Sequence, residues 1–226
     1  MLRQRYGLLL ACLFVLFVVL GIAPGGPWQD ALITALAAAT LIFALRAGEV
    51  TPRVTAVVTV LATGVAIAVA VLAAAGAETE AAARVAAGSL VCIAPPAIAV
   101  GVVRGLRERG GATVQAIMGV LCIYLLMGMF YAFLYGAIDR LGGAPFFNGG
   151  ISASASHCLY FSFTTLTTVG YGDLTARTDL GHTLAVTESL FGQIYLVTVV
   201  AVLVSGLTRR STWFTSAPNR TKPGGG

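Results

Sequence analysis

Residues 165–173 read Thr165-Leu166-Thr167-Thr168-Val169-Gly170-Tyr171-Gly172-Asp173. Two glycines alternate with bulky residues just after a run of hydroxyl side chains, and long apolar segments flank the whole. Backbone of this kind can turn its carbonyl oxygens toward an axis and offer them to a dehydrated cation. Gly170 and Gly172 permit the positive φ that such a ribbon needs. Val169 and Tyr171 are expected to point away and anchor it, and Thr168 to add a hydroxyl oxygen at the inner end. One strand cannot surround an ion but four can, so the expected assembly is a C4 homotetramer.

The elements around this stretch must lie in a membrane. The chain has 226 residues, 58% hydrophobic and 10% charged, with a mean hydropathy of +0.89. A soluble domain carries about 25% charged residues. The net charge of +5 sits at the ends of apolar segments, where it reads as a topology signal and not as a phosphate-binding face. No nucleic-acid partner is expected. Cys12, Cys92, Cys122 and Cys158 form no CxxC pair and read as free thiols.

A spanning helix needs about 20 apolar residues. Candidates fall at 7–23, 28–46, 54–76, 84–103, 113–136 and 180–207. The stretch 153–167 is too short to span and too long for a turn, so it reads as a re-entrant helix. The expected fold is an all-α integral membrane protein of six transmembrane helices, with a pore helix and filter loop between helices five and six. Its parts are a four-helix N-terminal domain (1–110), a pore domain (111–210) and a disordered cytoplasmic tail (211–226) without a regulatory module. Arg3 and Arg5 before the first apolar run also resemble the start of a signal peptide. A retained helix and a cleaved one both stand.

Arg3, Arg5, Arg46, Arg53, Arg104, Arg107, Arg109, Arg209 and Arg210 fall on one side of a six-helix alternation. Asp30, Glu78, Glu80, Asp139, Asp173 and Asp179 fall on the other. Arginine-rich loops stay cytoplasmic. The expected topology is multi-pass in the plasma or inner membrane, with both termini inside and the Tyr171 end of the loop outside. Arg104, Arg107 and Arg109 either touch anionic lipid or are an ordinary positive-inside loop.

Thr168-Val169-Gly170-Tyr171-Gly172 reproduces the filter signature of potassium channels. The chain resembles the pore-loop potassium channels over roughly residues 113–208, in the prokaryotic six-helix type without a charged voltage-sensor helix. The resemblance implies K+ bound by the carbonyls of Thr168, Val169, Gly170 and Tyr171 and by the Thr168 hydroxyl. Gly172 completes the filter. Tyr171 should wedge against Tyr160, Phe161 or Phe163, with Thr164, Thr165 and Thr167 bonding the filter backbone from behind. Some members carry a glutamate at the position of Thr164, bonded to the aspartate after the filter. This chain lacks it, so Asp173 needs another partner or water. Ser152, Ser154 or Ser156 can cap the short helix, whose carboxyl end then favours a cation.

Glu188 is an ionisable residue at membrane depth. It either packs behind the filter, accepting from Ser162 or Thr165, or meets water at the outer interface. Gly192 lies where the family carries a hinge glycine, and close packing is the equal alternative. Gln193 is placed to face a cavity below the filter. Leu196, Val200 and Val204 recur at helical spacing, as a narrowing inner gate or as a plain contact stripe.

Residues 84–103 hold Arg84 at one end and Pro95-Pro96 within, not arginines at every third position. Moving one charge through 100 mV yields about 2.3 kcal/mol, so weak or absent voltage gating is expected. The expected function is passive potassium conduction, with K+ as the bound ion, membrane lipid as surroundings, and no enzyme activity. The alternatives are a weakly selective cation channel and the membrane subunit of a potassium uptake system. His157 and His182 have no ligand-spaced partners for a catalytic or metal site.

Overall fold

The computed structural model describes residues 5–22, 27–47, 51–75, 85–91, 99 and 114–215. Its helices are α1 (Arg5–Ile22), α2 (Pro27–Ala47), α3 (Pro52–Ala74) and a helical stretch over 85–91, α4. Then come α5 (Val114–Leu141), a 3-10 turn (Asn148–Gly150), α6 (Ala155–Leu166) and α7 (Asp179–Thr215). Among the described residues the extended structure is one isolated antiparallel bridge, Phe147 to Ala176. The Pro95-Pro96 bend and Arg104, Arg107 and Arg109 lie outside the described residues.

Local chemistry sets the boundaries. Pro52 starts α3, where its missing N–H costs nothing. The α5 helix continues past residue 136 to Leu141 and stops at two glycines. The Gly142 amide donates to the Ile138 carbonyl at 2.8 Å, and Gly143 adopts φ +68°, the left-handed stop that glycine accepts most readily. At the start of α6, Ser154 Oγ accepts from the His157 amide at 3.1 Å. At the start of α7, Thr178 Oγ1 accepts from the Gly181 amide at 3.1 Å. The α7 helix runs through Thr215, beyond Arg210 where a disordered tail is expected from composition. No Gly or Pro interrupts 207–215, so nothing local breaks it.

Hydroxyl side chains inside the apolar helices bond back to their own turns. Thr40 donates to Leu36 O at 2.8 Å, Thr63 to Thr59 O at 2.7 Å and Thr187 to Thr183 O at 2.7 Å. This satisfies them without water.

Tyr6, Leu9, Leu13, Leu16 and Leu20 form one buried face of α1 at helical spacing. That helix packs on α2, α5 and α6, and so joins the leading helices to the segment that holds the loop. Phe17 meets Phe163 of α6 edge to face, with centroids 5.0 Å apart. An aromatic cluster of Tyr135, Phe146, Phe147 and Phe161 fills the space between α5, α6 and the 142–154 connection. Among the described residues two helices, Pro52–Ala74 and Ile117–Leu141, are long and apolar enough to cross a membrane, with mean hydropathies of 2.6 and 2.3. Tyr6–Ile22 and Ala31–Arg46 are shorter apolar helices.

Candidate ion-conducting site

Thr167 closes α6. The Thr168 amide donates to Thr165 O and the Val169 amide to Thr164 O, both at 2.9 Å. These are the paired bonds of a Schellman cap, which needs a left-handed residue at the position of Thr168. Thr168 has φ +59°, the one non-glycine residue with positive φ among the described residues. A β-branched side chain there costs of order 1–3 kcal/mol. The surrounding bonds hold it in place.

Positive φ returns at Gly170 (+50°) and Gly172 (+80°). The backbone hand therefore alternates residue by residue from 168 to 172. Alternation of this kind points successive amides to one side, and here the Gly170 amide joins that of Val169 on Thr164 O, at 3.1 Å. The peptides of the described residues are all trans, so each carbonyl opposes the N–H of its own peptide group. The carbonyls of Thr167, Thr168 and Val169 consequently face away from the end of α6.

The side chains around this loop are anchored in part. Tyr171 is 72% exposed on the single chain and lies flat against Tyr160, with ring planes 7° apart and centroids at 6.4 Å. Of the three aromatic neighbours expected for Tyr171, Tyr160 is the one beside it. Phe161 belongs to the cluster with Tyr135, Phe146 and Phe147, and Phe163 to the contact with Phe17. Tyr160 also donates its hydroxyl to Asp173 Oδ2 at 2.9 Å, so the aspartate has a protein partner. That bond raises the Tyr160 phenol above its ordinary pKa and keeps the donor protonated.

The hydroxyls of Thr164 and Thr167 differ from expectation. They donate to Phe161 O (3.0 Å) and Phe163 O (2.6 Å) within α6. The loop is instead held by the main-chain carbonyls of Thr164 and Thr165. At a helix end those carbonyls lack helical donors, while a threonine hydroxyl reaches its own preceding turn more easily.

Glu188 is fully buried. Tyr135 Oη contacts its Oε2 at 2.6 Å and Ser162 Oγ its Oε1 at 2.5 Å. Ser162 is the contact on α6, not Thr165, and no sequence signal pointed to Tyr135. Gly192 is buried against the last turn of α6, where a Cβ would stand 2.7 Å from both Leu166 O and Leu166 Cδ1. Tyr124 donates to the same carbonyl at 3.4 Å. Gln193 Nε2 donates to Thr168 Oγ1 at 3.3 Å, joining α7 to the start of the loop. Leu196 is exposed on the chain alone, and the side chains of Val200 and Val204 lie outside the described residues.

The far end of the loop is clamped by contacts no motif announced. Asn148 donates its amide to Thr175 O (3.0 Å), and the Arg177 amide donates to Phe146 O (2.8 Å). Asn148 Nδ2 donates to Thr175 Oγ1 and Ala176 O at 3.0 and 3.1 Å. The Phe146 amide donates to Asp139 Oδ1 at 2.8 Å. The turn residues Gly142, Gly143, Gly149 and Gly150 were the available signal for an ordered connection.

Among the described residues no group of three or more His, Cys, Asp or Glu could hold a metal ion through side chains. The chemistry on offer is that of carbonyl and hydroxyl oxygens, which suit hard cations. A search of curated proteins and one of solved structures each found no match. Residues 119–209, holding most of α5, all of α6, the loop and α7 as far as Arg209, match the family model described as Ion channel. The match and the apolar helices support a membrane protein whose 119–209 segment is an ion-channel domain, a passive conduit of a class that is in general oligomeric and non-enzymatic.

Proposed function

We propose that the chain is a potassium-selective channel, conducting K+ passively as a homotetramer. The observation that carries this reading is the alternating hand of Thr168, Gly170 and Gly172, with the amides of Thr168, Val169 and Gly170 tied back to α6. It leaves a row of main-chain oxygens free for an ion. The ligands are the carbonyls of Thr168, Val169, Gly170 and Tyr171, with the Thr168 hydroxyl closing the inner site. Four copies replace the hydration shell that K+ sheds.

The tetramer also explains the uneven cover of α7. Gly181, Glu188 and Gly192 are buried on one face, while Val186, Leu190, Ile194 and Val197 of the other are exposed on the single chain. The exposed face meets neighbouring subunits and the cavity, with Gln193 below the filter and Leu196, Val200 and Val204 toward the inner mouth. In this reading the six spans are α1, α2, α3, the apolar segment 84–103, α5 and α7, α6 is re-entrant, and both termini are cytoplasmic. The arginine-poor fourth segment gives weak or no voltage gating.

The test is K+ uptake by liposomes holding only the purified protein. Uptake that collapses a K+ gradient without ATP or a partner supports the channel. Flux only with an added cytoplasmic partner would favour the uptake-system subunit instead.

A further inference from the structure

Ser162 Oγ lies 2.6 Å from the carbonyl oxygen of Gly128 and 2.5 Å from Oε1 of Glu188. Oxygens this close need a proton between them. Serine has one hydroxyl proton. The Gly128 carbonyl can only accept, so the Ser162 proton belongs to that contact. The second contact then has no donor unless the carboxyl supplies it. On its other oxygen, Glu188 accepts the one phenolic proton of Tyr135 at 2.6 Å. The site is fully buried, which leaves no bulk water to make up the missing proton.

We infer that Glu188 is held as a neutral carboxylic acid, the middle member of one directed hydrogen-bond chain. Tyr135 Oη–H donates to Oε2, Oε1–H donates to Ser162 Oγ, and Ser162 Oγ–H donates to Gly128 O. Each contact has one proton and each proton one contact. The chain ties α7 to α5 twice, once directly and once through α6. A carboxylate would set lone pairs against each other at Oε1 and force Ser162 off Gly128. Glu188 is thus a positioning residue: it acts on the loop through Ser162 and α6, without touching the ion.

The titratable groups facing Glu188 from α5 are Tyr124, Tyr131 and Tyr135. From α6, Cys158 lies near Tyr135. All are neutral as ordinarily protonated, and none supplies the positive charge that would hold a carboxylate in a dry site. The proton count stands without the channel reading; only the location behind a filter rests on it.

The test is infrared spectroscopy of the purified protein in lipid at neutral pH, wild type against Glu188→Gln. The expected result is a carbonyl-stretch band of a protonated carboxylic acid that shifts in heavy water and is lost in the variant. Glutamine can donate to Ser162 and accept from Tyr135, so all three bonds survive, and K+ flux should stay within about twofold of wild type. Glu188→Leu cannot make these bonds and should lose assembly or most of the flux. Absence of the band from wild type would overturn the inference. So would a band that persists in Glu188→Gln, or a Glu188→Gln protein that fails to assemble or loses about tenfold in flux. A wild-type band without any flux would sink the channel reading and leave the protonated glutamate intact.

Discussion

Replacing Gly192 by alanine pits two effects of opposite sign against each other. Glycine in a helix interior is about 1 kcal/mol less favourable than alanine, so a glycine kept only for bending should be stabilised by the change. Here the added Cβ would fall 2.7 Å from both the carbonyl oxygen and Cδ1 of Leu166. The side-chain methyl can rotate aside. The carbonyl cannot, because it belongs to the last turn of α6, whose end is fixed by the Thr165–Thr168 and Thr164–Val169 bonds. Overpacking costs about 1–3 kcal/mol, and a backbone clash belongs in the upper half of that range. The net expectation is a loss of about 1–2 kcal/mol per subunit, with α7 pushed away from the base of the loop. Gly64 is the control: it lies inside α3, where an added Cβ would meet nothing within 4 Å, and Gly64→Ala should be neutral or stabilising. The assay is thermal dissociation of the purified assembly in detergent, with K+ flux on the same samples. A Gly192→Ala protein as stable as Gly64→Ala, with flux unchanged, would refute the close-packing argument.

Gly170→Ala forces a side chain to φ +50°, a cost of about 1–2 kcal/mol per residue. The expected outcome is a drop in K+ over Na+ selectivity, read from reversal potentials. Tyr160→Phe keeps the ring against Tyr171 but removes the donor to Asp173; currents should decay faster during sustained recording while selectivity is retained. Ser154→Ala removes the cap of α6 and should cost about 1 kcal/mol in thermal stability, without changing selectivity.

The helices around the loop are legible in the sequence because their signals are local. Apolar runs place α5 and α7, and Ser154 and Thr167 sit within two residues of the ends read from composition. The positive φ at Gly170 and Gly172 follows from residue type. That at Thr168 does not, since threonine resists it; the cap at the end of α6 imposes it. Long-range partners are harder to read. Ser162 is one of two α6 hydroxyls that the sequence offers to Glu188, but Tyr135 is 53 positions away, and no spacing rule joins residues on helices whose crossing is unknown. The partner of Asp173 is equally hidden, because the reach of Tyr160 depends on how the loop folds back beside α6. Leucines at helical spacing mark a buried face on α1, yet say nothing of what covers it. The contact of Phe17 with Phe163 puts the first helix against α6, a pairing that no spacing in the sequence announces.

The most direct measurement is the reversal potential of the purified protein in a planar bilayer, with K+ on one side and Na+ on the other. The proposed filter of main-chain oxygens predicts a large reversal potential, of the sign set by K+ leaving its own side. A potential near zero, with Na+ carrying current as readily as K+, would contradict the account.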